Sequence, residues 1–239
     1  MNENIKKYGS KVLFLAMGLM GVLIFAVACA PKADKKPSPE NKERKVKIET
    51  DKPAKLALPD ESKEPENAGY AILGAGCFWC VEEVLQQMDG VTAVVSGYAG
   101  GTAADANYEA VCTGKTDHAE VVKVTFDKDK TSYGKVLDTF WKLHDPTTLN
   151  RQGPDSGRQY RSAIFYQNDE EKAIAEASKK KLNEAEQYPS AVVTQVVPLD
   201  KFYPAEDYHQ NYARLHPDDG YIRAILFPKL KKLHLQIPE

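Results

Sequence analysis

The sequence predicts one α+β domain, a two-layer sandwich in which helices pack on a mixed β-sheet. Apolar residues alternate along several short segments, as they do in strands, and recur every three or four residues along others, as they do in helices. Strand-like stretches follow the helical ones without the strict alternation of a doubly wound sheet. We therefore favour the sandwich over a doubly wound sheet and assign it to residues 69–239.

The first half of the domain shows strand-like and helix-like patterns in turn. Apolar residues 70–73 predict a short strand, and the glycines that follow predict a tight turn. After Cys77, apolar residues recur at helical spacing until Gly90 ends the helix, and residues 91–98 predict a second strand. The polar stretch up to Asp117 is expected to be an irregular surface loop.

The next strand contains a buried carboxylate. Val122, Val124 and Phe126 alternate with their neighbours, which is the period of a half-buried strand. Glu120 continues the inward-facing series. A carboxylate on the core side of a strand costs several kcal/mol unless it is paired or protonated, so Glu120 is a candidate functional residue.

The second half adds two helices and two strands. Ser132 is the expected N-cap of a helix that Pro146 ends, and a polar, glycine-rich stretch follows it. The remaining predicted elements are a strand over 161–166, an amphipathic helix over 169–187 and a strand over 191–198. From Phe202 onward the chain is aromatic, and we expect it to be irregular and to wrap the sheet.

The residues before the domain read as an export signal and a linker. Three lysines precede the nearly uncharged stretch 12–28, and small residues lead into Cys29 as in a bacterial lipobox. We expect residues 1–28 to be the signal segment and Cys29 to carry a lipid anchor; an uncleaved transmembrane anchor is the alternative. Either reading predicts an exported protein, anchored in the membrane on the periplasmic or extracellular face of a bacterial cell envelope.

Residues 29–68 are rich in lysine, acidic residues and proline, with few large apolar residues. Such a segment cannot bury enough surface to offset its ordering entropy, so we predict a disordered, extended linker. The whole chain has a formal net charge of -2, and this absence of basic excess gives no reason to expect nucleic acid as a partner. Four cysteines in 239 residues are too few for a disulfide framework, which favours reactive thiols.

The most informative motif is Cys77-Phe78-Trp79-Cys80, which starts where the first strand turns into a helix. A thiol at a helix N-terminus faces unpaired N–H groups and the positive end of the helix dipole, so we expect a lowered pKa and a nucleophilic Cys77. Cys80 lies on the same helical face and is placed to capture a sulfenic acid formed on Cys77.

Taken alone, this motif leaves other interpretations open. A zinc site needs two more ligands, and Cys112 with His118 is a poor second pair, so no metal is expected. A thioredoxin-like oxidoreductase also has two such cysteines at the start of a helix. The bulky Phe78 and Trp79 argue against it, because they favour a pocket for a small apolar group. Two buried cysteines that only fill the core are the remaining alternative.

The motif Gly76-Cys77-Phe78-Trp79, with Val81-Glu82 after it, resembles the active-site signature of the peptide methionine sulfoxide reductase A family (MsrA). Further segments that resemble the family, in the family's order, are Gly97-Tyr98-Ala99-Gly100-Gly101, Tyr108-Glu109-Ala110-Val111-Cys112, His118-Ala119-Glu120, His144-Asp145-Pro146, Arg151-Gln152-Gly153, Gln159-Tyr160-Arg161-Ser162 and residues 202–210. The resemblance spans residues 70–227. It implies the family's ferredoxin-like fold and reduction of the S-epimer of methionine sulfoxide, without metal or organic cofactor.

The resemblance also implies a role for each site residue. Cys77 would attack the sulfoxide sulfur, and Glu120, protonated because it is buried, would act as the general acid. The residues expected to hold the sulfoxide oxygen are Tyr108, Asp155 and Tyr160, and those expected to receive the ε-methyl group are Phe78 and Trp79. The expected partners are oxidised proteins or peptides and a thioredoxin-like reductant.

The sequence departs from the family at the resolving thiol. Many members carry a cysteine after a C-terminal Gly-Tyr pair, but here Ile222 follows Gly220-Tyr221 and no cysteine follows Cys112. We therefore expect Cys80 to resolve the sulfenic acid. Cys112, which the resemblance suggests is an ordinary buried cysteine, and an external thiol are the alternatives.

Overall fold

The structure, a computed structural model, describes residues 65–238. The predicted signal segment, Cys29 and all but the end of the predicted linker lie outside the described residues. Within the described part of the chain, no helix is long and apolar enough to cross a membrane.

The domain alternates short strands with helices of four to sixteen residues. The elements in chain order are β1 (Ala68–Ala75), α1 (Phe78–Gln86), β2 (Val91–Ala99), α2 (Tyr108–Cys112), β3 (Ala119–Asp127), α3 (Tyr133–Leu143), β4 (Arg151–Gln152), β5 (Asp155–Ser156), β6 (Ser162–Tyr166), α4 (Asp169–Glu184), β7 (Gln195–Pro198), β8 (Phe202–Pro204), α5 (Tyr212–Leu215), a π-helical turn (Ile222–Leu226) and α6 (Phe227–Lys232). Single 3₁₀ turns span Ala103–Asp105, Arg158–Tyr160 and Asp207–His209.

Six strands form one mixed sheet in the order β7-β6-β1-β3-β2-β8. All neighbours in it are antiparallel except β6 and β7, which run parallel. β4 and β5 form a separate two-stranded hairpin. The predicted α+β sandwich with a mixed sheet is therefore confirmed, and a doubly wound sheet is excluded.

The sheet carries apolar clusters on both faces. The larger cluster lies under α1 and α3 and includes Val81, Leu85 and Phe140, all nearly inaccessible to solvent. A smaller cluster around Val121 and Phe165 covers the opposite face. The prediction that β3 is half-buried is wrong, because β3 lies in the middle of the sheet and both of its faces are covered.

Helix α3 begins where its sequence signal predicts. The Ser132 hydroxyl oxygen accepts a hydrogen bond from the backbone N–H of Lys135 at 3.4 Å, which satisfies one of the unpaired donors of the first turn. The helix ends at Leu143, shortly before Pro146. The strand predicted over 191–198 is shorter than expected and forms only from Gln195.

The C-terminal region is more regular than we expect from its sequence. β8 extends the sheet at its β2 edge, and the helical turns after it bury Ile222, Leu226 and Leu230 completely. The spacing of these three residues by four positions is a helical signal. The expectation of an irregular region is therefore wrong, although this segment does pack against the sheet layer.

Candidate active site

Cys77 lies at the turn from β1 into α1, as predicted. β1 ends at Ala75, and Gly76 has a φ of +90°, a conformation that glycine adopts without strain. A Cβ at that position would lie 2.7 Å from the side chain of Gln152. The turn therefore requires glycine for both its conformation and its close approach to the β4–β5 hairpin.

Both thiols of the motif are free and buried. Cys77 is 8% exposed and Cys80 is 2% exposed. Their side chains share a hydrogen bond. That contact holds the two sulfur atoms next to each other at the start of α1.

The prediction that Cys77 has a lowered pKa is wrong. Burial raises the pKa of the Cys77 thiol, whereas the hydrogen bond with Cys77 lowers the pKa of Cys80. The first N–H of α1, that of Phe78, donates to Oε2 of Glu120 at 3.1 Å. The helix terminus thus binds the carboxyl group, and burial decides the pKa of the thiol.

Glu120 lies on the core side of β3, as predicted. It is 2% exposed and pairs in register with Tyr98 of β2. Burial raises the pKa of Glu120 to about 8, and the N–H of Phe78 offsets only part of that effect. At neutral pH the carboxyl group is therefore mainly protonated and lies one backbone amide away from Cys77.

Two tyrosines border the thiol and the carboxyl group. Tyr108, the first residue of α2, donates its backbone N–H to Oε1 of Glu206 at 2.9 Å. Burial raises the pKa of Tyr108 and of Tyr160, and both hydroxyls lie within electrostatic range of Glu120 and Cys77. These hydroxyls therefore stay protonated and can donate hydrogen bonds at neutral pH.

Asp155 is the third residue predicted to hold the sulfoxide oxygen. It is 6% exposed, and burial raises its pKa. The hydroxyl of Tyr221 donates to Oδ2 of Asp155 and also contacts Cys80. The structure thus brings Asp155 to the thiol pair, but on the side where the C-terminal segment covers it.

Phe78 and Trp79 belong to an aromatic cluster beside Cys77. Phe78 is buried, and its ring centroid lies 5.1 Å from that of His209. Trp79 stacks on Tyr212 at 3.9 Å, with 13° between the ring planes. The indole Nε1–H of Trp79 donates to Nδ1 of His209 at 3.1 Å, and burial lowers the pKa of that imidazole to about 4, so it stays neutral.

The sequence-based prediction assigns no role to three further residues of this aromatic cluster, His209, Tyr212 and Tyr221. His209 lies in the segment 202–210 that resembles the family. Tyr221 belongs to the Gly-Tyr pair after which the resolving cysteine of many members is absent. The pocket-facing residues of the C-terminal turns are of the same types as core residues, so the sequence does not show which of them face the site. The residues of the zinc alternative, Cys112 and His118, lie on different elements, and no group of three metal-ligating side chains occurs among residues 65–238.

Comparisons with known proteins identify the family of this chain. A family model described as peptide methionine sulfoxide reductase matches residues 69–238. Peptide methionine sulfoxide reductase MsrA of Polynucleobacter asymbioticus is 51% identical over 162 residues, which are 68% of this chain and 85% of that protein. MsrA of Acinetobacter baumannii is 51% identical over 164 residues, 69% of this chain and 93% of the relative.

Solved structures show the same fold. Reduced Mxr1 from Saccharomyces cerevisiae superposes with a TM-score of 0.62 at 32% identity, over 65% of this chain and 90% of that one. Methionine sulfoxide reductase A of Corynebacterium diphtheriae gives a TM-score of 0.56 at 32% identity, over 64% and 77% of the two chains. The chain belongs to the peptide methionine sulfoxide reductase family.

Proposed function

We propose that this protein reduces the S-epimer of methionine sulfoxide in proteins and peptides, with Cys77 as the nucleophile. The observation that carries the proposal is the pairing of a thiol with a buried, protonated carboxyl group. Cys77 precedes Phe78, whose N–H holds Oε2 of Glu120 at 3.1 Å. A nucleophile and a proton donor on adjacent sides of one amide are what sulfoxide reduction needs.

In the first step the sulfur of Cys77 attacks the sulfoxide sulfur. A transient bond forms between the two sulfur atoms, and the sulfur–oxygen bond of the substrate breaks as the oxygen moves to Cys77. The bond between the two sulfur atoms then breaks, so methionine leaves and Cys77 carries a sulfenic acid. Glu120 protonates the oxygen as negative charge develops on it, and it regains the proton that the Cys77 thiol loses. The sulfoxide is reduced by two electrons and the thiol is oxidised by two, so this step needs no other reductant.

The oxygen is held by hydroxyl and carboxyl groups. Tyr108 and Tyr160 remain protonated because burial raises the pKa of each, so both donate to the oxygen as it becomes negative. Asp155 completes this group from the hairpin side. Phe78 and Trp79 receive the ε-methyl group, a contact worth about 1 to 3 kcal/mol in discrimination.

Cys80 resolves the sulfenic acid in this proposal. The hydrogen bond between the two thiols means that a disulfide can form without a large chain movement. Ile222 follows Gly220-Tyr221, where many family members carry the resolving cysteine, and its completely buried apolar side chain cannot take that role. A thioredoxin-like protein then reduces the disulfide by thiol exchange. Cys112 is disulfide-bonded in the structure, so an external thiol is the alternative resolving group.

We further propose that the enzyme is exported and anchored through Cys29, on the basis of its sequence alone. In the natural host, Cys29→Ala should move the protein from the membrane fraction to the soluble fraction. The matched control is Ser38→Ala, which changes a residue of the predicted linker and leaves Cys29 in place. Equal membrane retention of wild type and Cys29→Ala would contradict lipid anchoring.

The function is tested by turnover of the separate epimers. With dithiothreitol, the wild-type protein should convert peptide-bound S-methionine sulfoxide to methionine and leave the R-epimer untouched, as followed by HPLC. Cys77→Ser should abolish conversion while the circular dichroism spectrum keeps its wild-type form. Equal turnover of both epimers, or full activity of Cys77→Ser, would overturn the proposal.

A further inference from the structure

The two thiols border a cavity that Glu120 does not line. It has a volume of about 200 Å³ and is lined by Cys77, Cys80, the hairpin residues 152–155 and residues of the C-terminal helical turns. Phe78, Trp79, Tyr108, Tyr160 and Glu120 are absent from its lining. The cavity is therefore separate from the aromatic residues proposed to receive the methyl group, and it gives access to the sulfur of Cys80.

One face of the C-terminal helical run forms the cavity wall opposite the thiols. Tyr221, Ile225 and Lys229 are spaced four residues apart on this run and all line the cavity. The run contains the π-helical turn Ile222–Leu226, a feature often found at functional sites. The buried residues Ile222, Leu226 and Leu230 anchor this run to the core. Lys229 is therefore held beside the cysteines by the packing of its own helix.

Lys229 is the one cation among the described residues that line the cavity. Within residues 65–238 its ammonium forms no salt bridge. An ammonium group that is half-buried and lacks a carboxylate partner favours a nearby negative charge. The groups in this cavity that can carry such a charge are the two sulfur atoms of the motif and the carboxyl group of Asp155, and the sulfur atoms are the ones that change charge during the reaction.

Other ionisable groups around Cys80 are less able to do this. Asp155 opposes a thiolate, although its carboxyl is bonded to the Tyr221 hydroxyl. Glu120 does not line the cavity and is mainly protonated at neutral pH. His144 also lies within electrostatic range of Lys229, and burial lowers its pKa to about 4, so it is uncharged at pH 7.

We propose that Lys229 is a positioning residue for recycling: its ammonium group holds Cys80 as a thiolate that attacks the sulfenic acid on Cys77. This inference rests on the proposed function. The thiolate of Cys80 forms a sulfur–sulfur bond with Cys77, and the sulfur–oxygen bond of the sulfenic acid breaks. Hydroxide leaves and takes up a proton to become water, so the two thiols of the reduced enzyme end as one disulfide.

The test compares Lys229→Met with wild type in a single turnover without reductant. The sulfenic acid is trapped with dimedone at successive times between pH 6 and pH 9, and methionine release is measured in the same samples. The sulfenic acid should persist roughly three- to ten-fold longer in Lys229→Met at pH 7, because less thiolate is only partly offset by a more nucleophilic one. The difference should shrink toward pH 9.

Two variants separate charge from structure. Lys229→Arg keeps the positive charge and should restore the wild-type lifetime, whereas Lys229→Gln should behave like Lys229→Met. Lys232→Met removes a lysine from the exposed side of the same helix and should match wild type. Circular dichroism establishes that each variant is folded.

The outcomes distinguish this inference from the proposed function. Absence of methionine release from wild type would overturn the proposed function. Methionine release from wild type, with the same sulfenic acid lifetime and pH dependence in folded Lys229→Met and Lys229→Gln, would overturn the role of Lys229 alone.

Discussion

At the scale of single residues, the site stores its reactants in their neutral forms. Burial raises the pKa of Cys77 and also that of Glu120, to about 8. A neutral thiol is a weak nucleophile, while a neutral carboxyl group is a good proton donor. The bound sulfoxide therefore has to accept a proton while the thiol loses one, which couples activation of Cys77 to the presence of substrate.

Replacement of the acid should leave the nucleophile without a proton donor. Glu120→Gln keeps an oxygen that can accept the N–H of Phe78, so the turn should stay intact. Methionine release in a single turnover should slow by about 10²- to 10⁴-fold. A less than three-fold change in a folded variant would contradict the assignment of Glu120 as general acid.

The pH dependence of methionine release should report the same carboxyl group. Below about pH 8 the rate should be level, because Cys77 and Glu120 are both protonated, which is the form that the coupled proton transfer requires. Above about 8 the rate should fall with rising pH, because the protonated carboxyl of Glu120 is lost. Single-turnover rates from pH 6 to 9.5 check this, and a rate that rises beyond pH 8.5 would exclude the predicted titration.

At the scale of elements, α5 is tied to the catalytic helix by side chains of α1. Arg214 Nε donates to Oε2 of Glu83 at 2.7 Å, and Gln86 Nε2 donates to Oδ1 of Asn211 at 2.8 Å. The backbone N–H of Asn211 donates to Oε2 of Glu82 at 2.9 Å. These bonds place Tyr212 against Trp79, so the position of α5 shapes the proposed methyl pocket.

Loss of the Arg214 side chain should loosen this attachment. Glu83 is 3% exposed, and removal of its cationic partner leaves a buried carboxylate with less compensation. Because Arg214 is partly exposed, the expected loss in the free energy of unfolding is about 1 to 2 kcal/mol, with a raised KM for peptide substrate. Urea unfolding and steady-state kinetics measure the two effects.

The matched control for Arg214→Ala is Arg223→Ala, which removes an exposed ion pair with Asp218 and should change stability by less than about 0.5 kcal/mol. Equal effects of the two substitutions would show that the Glu83 contact does not hold α5.

Local patterns predicted the elements that carry local signals. The Cys77 turn, the inward position of Glu120 and the Ser132 cap follow from spacing and capping residues, and all three are confirmed. The pKa of Cys77 could not be predicted in this way. It depends on burial in the assembled domain and on Glu120 taking the helix N–H, and these are tertiary events.

At the scale of the whole molecule, the site exists only when distant parts of the chain are assembled. The start of α1 supplies the two thiols, and β3 supplies the carboxyl group of Glu120. The β4–β5 hairpin contributes Asp155, and the C-terminal turns contribute Tyr221 and Lys229. The C-terminal contribution was not predicted from the sequence, because its helical turns are short and its pocket-facing residues are also ordinary core types. The sequence motifs assigned roles to Phe78 and Trp79 but did not predict that His209 and Tyr212 pack against them.

The stability of the fold should fall as the pH rises above neutral. Burial raises the pKa of both Glu82 and Glu120 to about 8, so the folded protein holds protons that the unfolded chain has already released above pH 4.5. Stability from such groups is present at low pH and is lost as the pH rises through 8. The free energy of unfolding should drop by on the order of 2 to 4 kcal/mol between pH 6.5 and pH 8.5.

Urea titrations at the two pH values measure this drop. The double variant Glu82→Gln with Glu120→Gln should show a much smaller one, because neither glutamine titrates. A wild-type protein that is equally stable or more stable at pH 8.5 would contradict the raised pKa values.

The central claim is that Cys77 takes the sulfoxide oxygen and Cys80 releases it. Its most direct test is peptide mapping by mass spectrometry after one anaerobic turnover with peptide-bound S-methionine sulfoxide and no reductant. We predict one methionine formed per chain and a peptide that carries a Cys77–Cys80 disulfide. A Cys77–Cys112 bridge, a lasting sulfenic acid on Cys77 in the wild type, or no methionine at all would contradict the account.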